Sequence, residues 1–183
     1  MPHSELVCAG YLSKLVAYSR HLSCGTPEIS ELMIGLAYVF LRPNGAPLPA
    51  GDAGHVGWGV QMENGQLYAG STENEGGRPI VLPGGDNGWW AGIFGVEADM
   101  IAAMVKRGYL CYKVAKVADC DPQKAQEVGD SCKSCGYEGL GNNCLDHVWR
   151  VLHAYNQPGL PWAQTHPTPN HWFSAYNGEL HNI

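Results

Sequence analysis

The chain has no run of lysines or arginines. Its 11 basic residues are outnumbered by 17 acidic ones, giving a formal net charge of −6. A phosphate backbone is held by clustered positive charge, so nucleic acid is excluded as an expected partner. The same deficit argues against an anionic membrane surface. No apolar run approaches the ~20 residues of a membrane span. The N-terminus, MPHSELVCAGYLSKLVAYSRHLSCG, also lacks the basic start and unbroken apolar core of a signal peptide. Charged residues are only 15% of the chain and apolar ones 45%, which is the balance of a globular protein and not of a disordered one.

What is present begins with 183 residues, the length of one domain with a real core. The 24 glycines and 12 prolines imply much loop and turn. The seven cysteines are Cys8, Cys24, Cys111, Cys120, Cys132, Cys135 and Cys144. Six could form three disulfides and leave one thiol free, which points to secretion or delivery to an oxidising compartment such as a periplasm without a visible Sec signal, with the cytoplasm as the alternative. Cys132-Lys-Ser-Cys135 is a CxxC that could join Cys111 and Cys120 in a four-thiolate zinc site, but the spacing is not that of a standard zinc ribbon. Disulfides around a loop-rich insertion are the expected arrangement, with no metal and no cofactor.

Periodicity divides the chain into three parts. An N-terminal segment, 4–41, carries Leu6, Val7, Tyr11, Leu15, Tyr18 and Leu22 at helical spacing. It ends in LMIGLAYVFL, which fits either a helix or a buried strand. Residues 50–156 hold a hairpin, in which HVGWGVQM and QLYAGST flank Glu63-Asn64-Gly65, an Asn-Gly turn signal. Glycines 57 and 59 inside the first strand imply that something packs close to that backbone. The stretch 73–95 reads as loop, anchored by Trp89-Trp90. VEADMIAAMVKRG reads as a helix, YLCYKVAKV as a strand, and Asp121-Pro122 starts a further short helix. Asn142 or Asn143 caps a helix with Leu145, Val148, Trp149, Leu152 and Tyr155 on one face. The tail, 157–183, is Pro-rich with a short aromatic helix. The expected fold is α+β, a small antiparallel sheet packed with helices.

Cys144 falls in the first turn of that capped helix. Unpaired amides there stabilise a thiolate and can donate to an oxyanion. Such a nucleophile needs a base. Of the eight histidines, His147 and His153 share the cysteine's own helix, and His166 and His171 lie in a Pro-bounded loop. His55 opens the glycine-bearing strand, where Gly54 and Gly57 leave space for another group to approach, and it is the expected base.

HVGWGVQMENGQLYAGST, followed by NNCLDHVWRVL, resembles the permuted papain-like group related to the NlpC/P60 cysteine peptidases. In its permuted members the histidine hairpin precedes an Asn-Cys helix. The group includes lecithin:retinol acyltransferase-like proteins and the PPPDE isopeptidases, and the likeness spans residues 50–156. It implies a circularly permuted papain-like core with Cys144 as nucleophile and His55 as base. The family's third, imidazole-orienting position falls on Ala69 here. Either the enzyme works as a Cys–His dyad, as in the PPPDE type, or another side chain takes that role, the candidates being Thr72, Glu73 and Asp52.

The resemblance implies a cysteine hydrolase that cleaves an amide bond, with peptidoglycan stem peptides as the expected substrate. In that setting the protein would act as a secreted antibacterial effector with a cognate immunity or inhibitor protein as partner. A PPPDE-like protein isopeptidase is the alternative. A non-catalytic module of the same fold is another, with Trp58, Trp89 and Trp90 lining a ligand groove.

Overall fold

The computed structural model describes residues 33–183, apart from 49, 50 and 75. The helix expected over 4–23, the helix start at Thr26-Pro27-Glu28, and Cys8 and Cys24 lie outside the described residues. In chain order the elements are β1 (Ile34–Arg42), β2 (Pro47–Leu48), β3 (Gly51–Asp52), β4 (His55–Gln61), β5 (Leu67–Thr72), β6 (Ile80–Val81) and β7 (Trp89–Phe94). Then follow α1 (Glu97–Val105), β8 (Cys111–Ala118), α2 (Pro122–Ser131), a 3-10 turn (Cys132–Ser134) and β9 (Tyr137–Glu138). The chain closes with α3 (Cys144–Ala154), α4 (Pro169–Ala175) and β10 (Glu179–Asn182).

Six strands form one antiparallel sheet in the order β10-β8-β1-β4-β5-β7. The ambiguous apolar run 32–41 resolves as β1, a central strand. It is apolar at successive positions because both faces of the sheet are covered. Ala37, Val39 and Leu41 point into one core with Val56, Trp58, Val60 and the buried face of α3, while Tyr38 and Phe40 point into a second with Met100 and Met104 of α1. Two strands escape the sequence reading. Residues 89–94, read as loop, form β7 against β5, and 179–182 form β10 at the opposite edge. Both are edge strands with partly exposed residues, so neither carries the apolar alternation of a buried strand.

The β4–β5 hairpin turns at Glu63-Asn64-Gly65 as the dipeptide signal predicts. Gly65 takes a left-handed φ of +82° and Asn64 Oδ1 accepts the Gln66 amide at 3.0 Å. The register pairs Trp58 with Gly70, Gly59 with Ala69 and Val60 with Tyr68. Gly57 has its cause in the far side of the sheet, since a Cβ there would come within 3.0 Å of the Tyr109 hydroxyl and the Gly70 carbonyl.

Helix α3 begins with a full capping box. Asn143 Oδ1 accepts the amides of Leu145 and Asp146, and the Asp146 carboxylate takes the Asn143 amide. Leu145, Val148, Val151 and Leu152 bury one face against the sheet, which fixes where the first turn points.

Candidate active site

Three side chains gather at one end of the sheet because of strand register. In the β4–β5 pairing, partner numbers sum to 128 (58 and 70, 59 and 69), so Glu73, one residue beyond β5, stands opposite His55. On the other side of β4, Arg42 of β1 pairs directly with His55. Arg42, His55 and Glu73 therefore lie in a row across three neighbouring strands. Successive side chains alternate faces, so all three share the α1 side with Ala69, Ser71 and the Tyr109 ring. Cys144 comes from the other side, where α3 delivers its first turn to the start of β4.

The Glu73 carboxylate is held from several directions. Its Oε1 accepts from the Ser71 hydroxyl at 2.5 Å, the Trp90 indole N–H at 3.1 Å and the Tyr109 hydroxyl at 3.2 Å. Its Oε2 faces the Arg42 guanidinium (Nη2) at 3.0 Å and His55 Nε2 at 3.2 Å. Both approaches to Oε2 are off the line of an ideal hydrogen bond and act as charge contacts. Burial pushes the Glu73 carboxyl up. The His55 imidazole, the Ser71 hydroxyl and the Trp90 N–H outweigh burial and hold it near 2.

His55 is 3% exposed and Cys144 4%. With Nε2 turned to Glu73, the imidazole has Nδ1 left for the Cys144 thiol. Burial alone would lower the basicity of this ring. The neighbouring Cys144 sulfur, followed by Glu73, overrides burial and raises it to about 9. Cys144 shows the reciprocal effect. Burial raises its pKa, but the His55 charge and hydrogen bond, the Val56 amide and the Tyr137 hydroxyl bring it below the ordinary thiol value. The start of α3 adds its partial positive charge, and the Cys144 amide stands outside the capping box. The arrangement can hold a thiolate–imidazolium pair, present an attacking sulfur, and offer the Cys144 N–H and the Tyr137 O–H to a developing oxyanion.

Among the three residues considered for orienting His55, the structure brings Glu73 to the imidazole. Thr72 points to the opposite face and bonds His147 Nδ1 at 2.9 Å. Asp52 is exposed on β3. Ala69 cannot orient His55 because it pairs with Gly59, well up the strand, and faces Met100 and Met104. His147 is a buried strut and no base. Its Nε2 meets Asn142 Oδ1 at 2.9 Å, and Asn142 Nδ2 already donates to the Cys135 carbonyl. Nε2 is thus the donor and Nδ1 accepts the Thr72 hydroxyl, a neutral ring. Burial, then the Arg150 charge, lowers its pKa to about 4.

Several expectations are corrected. The groups that approach Gly54 and Gly57 are the protein's own Asn170 and Tyr109, and not a ligand's. The three tryptophans do not share a groove, although Trp89 borders a surface cavity with Asn87, Asp130 and Lys133. Trp58 is fully buried, Trp89 donates to the Gly129 carbonyl, and Trp90 donates to Ser71 and Glu73. The disulfides are not formed among the described cysteines, since Cys111, Cys120, Cys132, Cys135 and Cys144 are all free. Nor do Cys111, Cys120, Cys132 and Cys135 gather as a zinc set: among the described residues no three potential ligands cluster. Cys132 and Cys135 instead donate to the Val128 and Ser131 carbonyls, and burial pushes the Cys132 thiol up to about 12. The CxxC turn serves the site through its backbone. Asn87 holds the Cys132 and Gly136 carbonyls at 2.8 and 2.9 Å, immediately before the strand that carries Tyr137.

Arg42, Ser71, Trp90, Tyr109 and Tyr137 are the site residues that sequence reasoning missed. The signal for Ser71 and Glu73 was hairpin parity. Tyr109 and Trp90 carry no local signal, because they arrive from elements distant in sequence. Searches against protein-family models, curated proteins and solved structures returned no match to this chain.

Proposed function

We propose that the protein is a thiol hydrolase that cleaves an amide bond, with Cys144 as nucleophile, His55 as base and then acid, and Glu73 orienting the imidazole. The observation that carries this reading is the buried relay Glu73–His55–Cys144 at the start of a helix. A structural thiol needs neither a histidine partner nor a carboxylate behind that histidine.

In the first half-reaction the Cys144 sulfur attacks the scissile carbonyl carbon, and the C=O pair moves to oxygen. The Cys144 amide and the Tyr137 hydroxyl are the donors for that oxyanion. Collapse breaks the C–N bond as imidazolium His55 gives its proton to the leaving nitrogen. In the second, neutral His55 takes a proton from water, hydroxide adds to the thioester, and the acid leaves with Cys144 as thiolate. Glu73 stays ionised throughout and stabilises the imidazolium.

The histidine hairpin precedes the cysteine helix in the chain, and that helix packs on the antiparallel sheet. This order supports a circularly permuted papain-like core. By the same resemblance the favoured substrate is a peptidoglycan stem peptide. The test is incubation of the chain and its Cys144→Ala and His55→Ala variants with purified peptidoglycan, with released muropeptides read by mass spectrometry. Products from the unaltered chain alone are expected, and identical spectra would overturn the peptidoglycan reading. Iodoacetamide near pH 6 should alkylate Cys144 first, and more slowly in His55→Ala. An inert Cys144 would overturn thiol catalysis altogether.

A further inference from the structure

Glu73 presents one oxygen to two cations. Arg42 Nη2 stands at 3.0 Å and His55 Nε2 at 3.2 Å from the same Oε2. Arg42 is itself anchored. It donates from Nη1 to the Arg107 carbonyl at 3.0 Å, and its guanidinium carbon lies 5.8 Å from the centre of the Tyr109 ring. Its side chain is 28% exposed, against 4% for Glu73 and His55. With the thiolate formed, the row Arg42–Glu73–His55–Cys144 alternates in sign and sums to zero.

We propose that Arg42 is a positioning residue of this site, one that shares the Glu73 carboxylate with His55 and thereby limits how firmly the imidazole holds its proton. The inference rests on the Cys144–His55–Glu73 reading above and assigns the fourth charge.

Charge balance is the reason. A carboxylate in a buried site needs a compensating cation. If His55 were the only one, Glu73 would fix it as imidazolium, and hydrolysis needs the ring to pass through both forms. A permanent guanidinium on the same oxygen takes over part of that compensation. The remaining groups around the pair do not substitute for it. Ser71 from β5, Trp90 from β7 and Tyr109 from the segment before β8 all donate to Oε1 and carry no formal charge. Arg107 lies over the Trp90 ring at 3.7 Å. On the thiol side stand Cys144 itself, the Val56 amide and the Tyr137 hydroxyl. Within this set Arg42 is the one cation in contact with the carboxylate besides His55.

Two cations flanking one oxygen are separated by roughly 6 Å. At an effective dielectric constant of about 20, their repulsion corresponds to a shift on the order of one to two pH units in the imidazole midpoint. The solvent exposure of Arg42 places the expectation at the lower end.

The experiment is an NMR titration of the full chain labelled at histidine ¹³Cε1, with His55 assigned by its loss in His55→Ala. Arg42→Met should raise the His55 midpoint by about one unit. Arg42→Lys, which keeps the charge but loses the fork to the Arg107 carbonyl, should stay close to the unaltered chain. Glu73→Gln should move the midpoint down. An unchanged or lowered midpoint in Arg42→Met would overturn the proposal. So would a Lys variant that shifts as far as the Met variant, because Arg42 would then act through geometry alone. Should Arg42→Met lose its dispersed spectrum, Arg42→Gln is read by the same criteria. Cys144→Ala in the same titration tests the underlying pair. A His55 midpoint indifferent to Cys144 would sink the thiol–imidazole reading and leave the Arg42 result to stand or fall by itself.

Discussion

The Glu73 carboxylate should make the fold acid-labile by an amount the structure lets one work out. Its folded pKa is near 2, against an ordinary 4.5. A depressed carboxyl contributes stability that is complete above the unfolded value and disappears as pH falls through the folded one. The window is therefore pH 5 to 2. His55 stays protonated across that window in both states, since even its unfolded pKa is near 6.5, so the change belongs to Glu73. A difference of 2.5 units corresponds to about 3.4 kcal/mol, of which about 3 kcal/mol is lost by pH 2. The assay is urea unfolding followed by tryptophan fluorescence at pH 5, 4, 3 and 2, comparing Cys144→Ala with Cys144→Ala/Glu73→Gln. The alanine background removes the thiol's own titration. Every other carboxylate titrates in both chains and cancels. The chain with Glu73 should lose about 3 kcal/mol more than the glutamine variant across the window. Glutamine also turns an amide N–H₂ toward Arg42 and His55, so at pH 5 the variant starts out less stable. If the two pH dependences agree to within about 1 kcal/mol, Glu73 is not held by charge, and the relay argued from its contacts is wrong.

Two further outcomes follow from the elements that carry the site. Thr72→Val keeps the shape of a fully buried side chain but strands His147 Nδ1 without its 2.9 Å partner, and should cost about 1–3 kcal/mol in urea unfolding. His147 is a strut in this account, so iodoacetamide should alkylate Cys144 at an unchanged rate in that variant. Asn143→Ala removes the cap that takes two amides at the start of α3, and should destabilise by about 0.5–2 kcal/mol. It also frees those amides beside the sulfur, so a large stability loss is not required for the alkylation rate to change.

The parts of the fold that could be read in the sequence are those specified locally. Helix α3 announces itself through an asparagine cap and an apolar stripe; the structure chooses Asn143 over Asn142 and adds Asp146, a partner the sequence reading does not name. The hairpin turn is equally local. The two edge strands were illegible for the opposite reason. Trp89–Phe94 and Glu179–Asn182 become strands through β5 and β8, and only a tertiary partner makes them so. The cysteines misled because counting them treats an even set as paired. Nothing in a count says whether two Cβ atoms meet, and the described ones do not form bridges.

The orienting residue shows what a sequence reading must add to a motif. Motif alignment put the third position at Ala69, yet a hairpin is a rule about distance from its turn. Asn64 is the centre of this one, with His55 nine residues before it and Glu73 nine after, as the pairing sum of 128 requires. Residues equidistant from the turn face each other, and the same parity sends Ser71 and Glu73 to the His55 face and Thr72 to the other. The carboxylate opposite His55 was therefore fixed once the turn was placed. Arg42 was not, because its position depends on the pairing of β1 with β4 across a connection whose length sets no register. Local symmetry thus reaches as far as Glu73, and the sheet itself brings the cation that sets its charge.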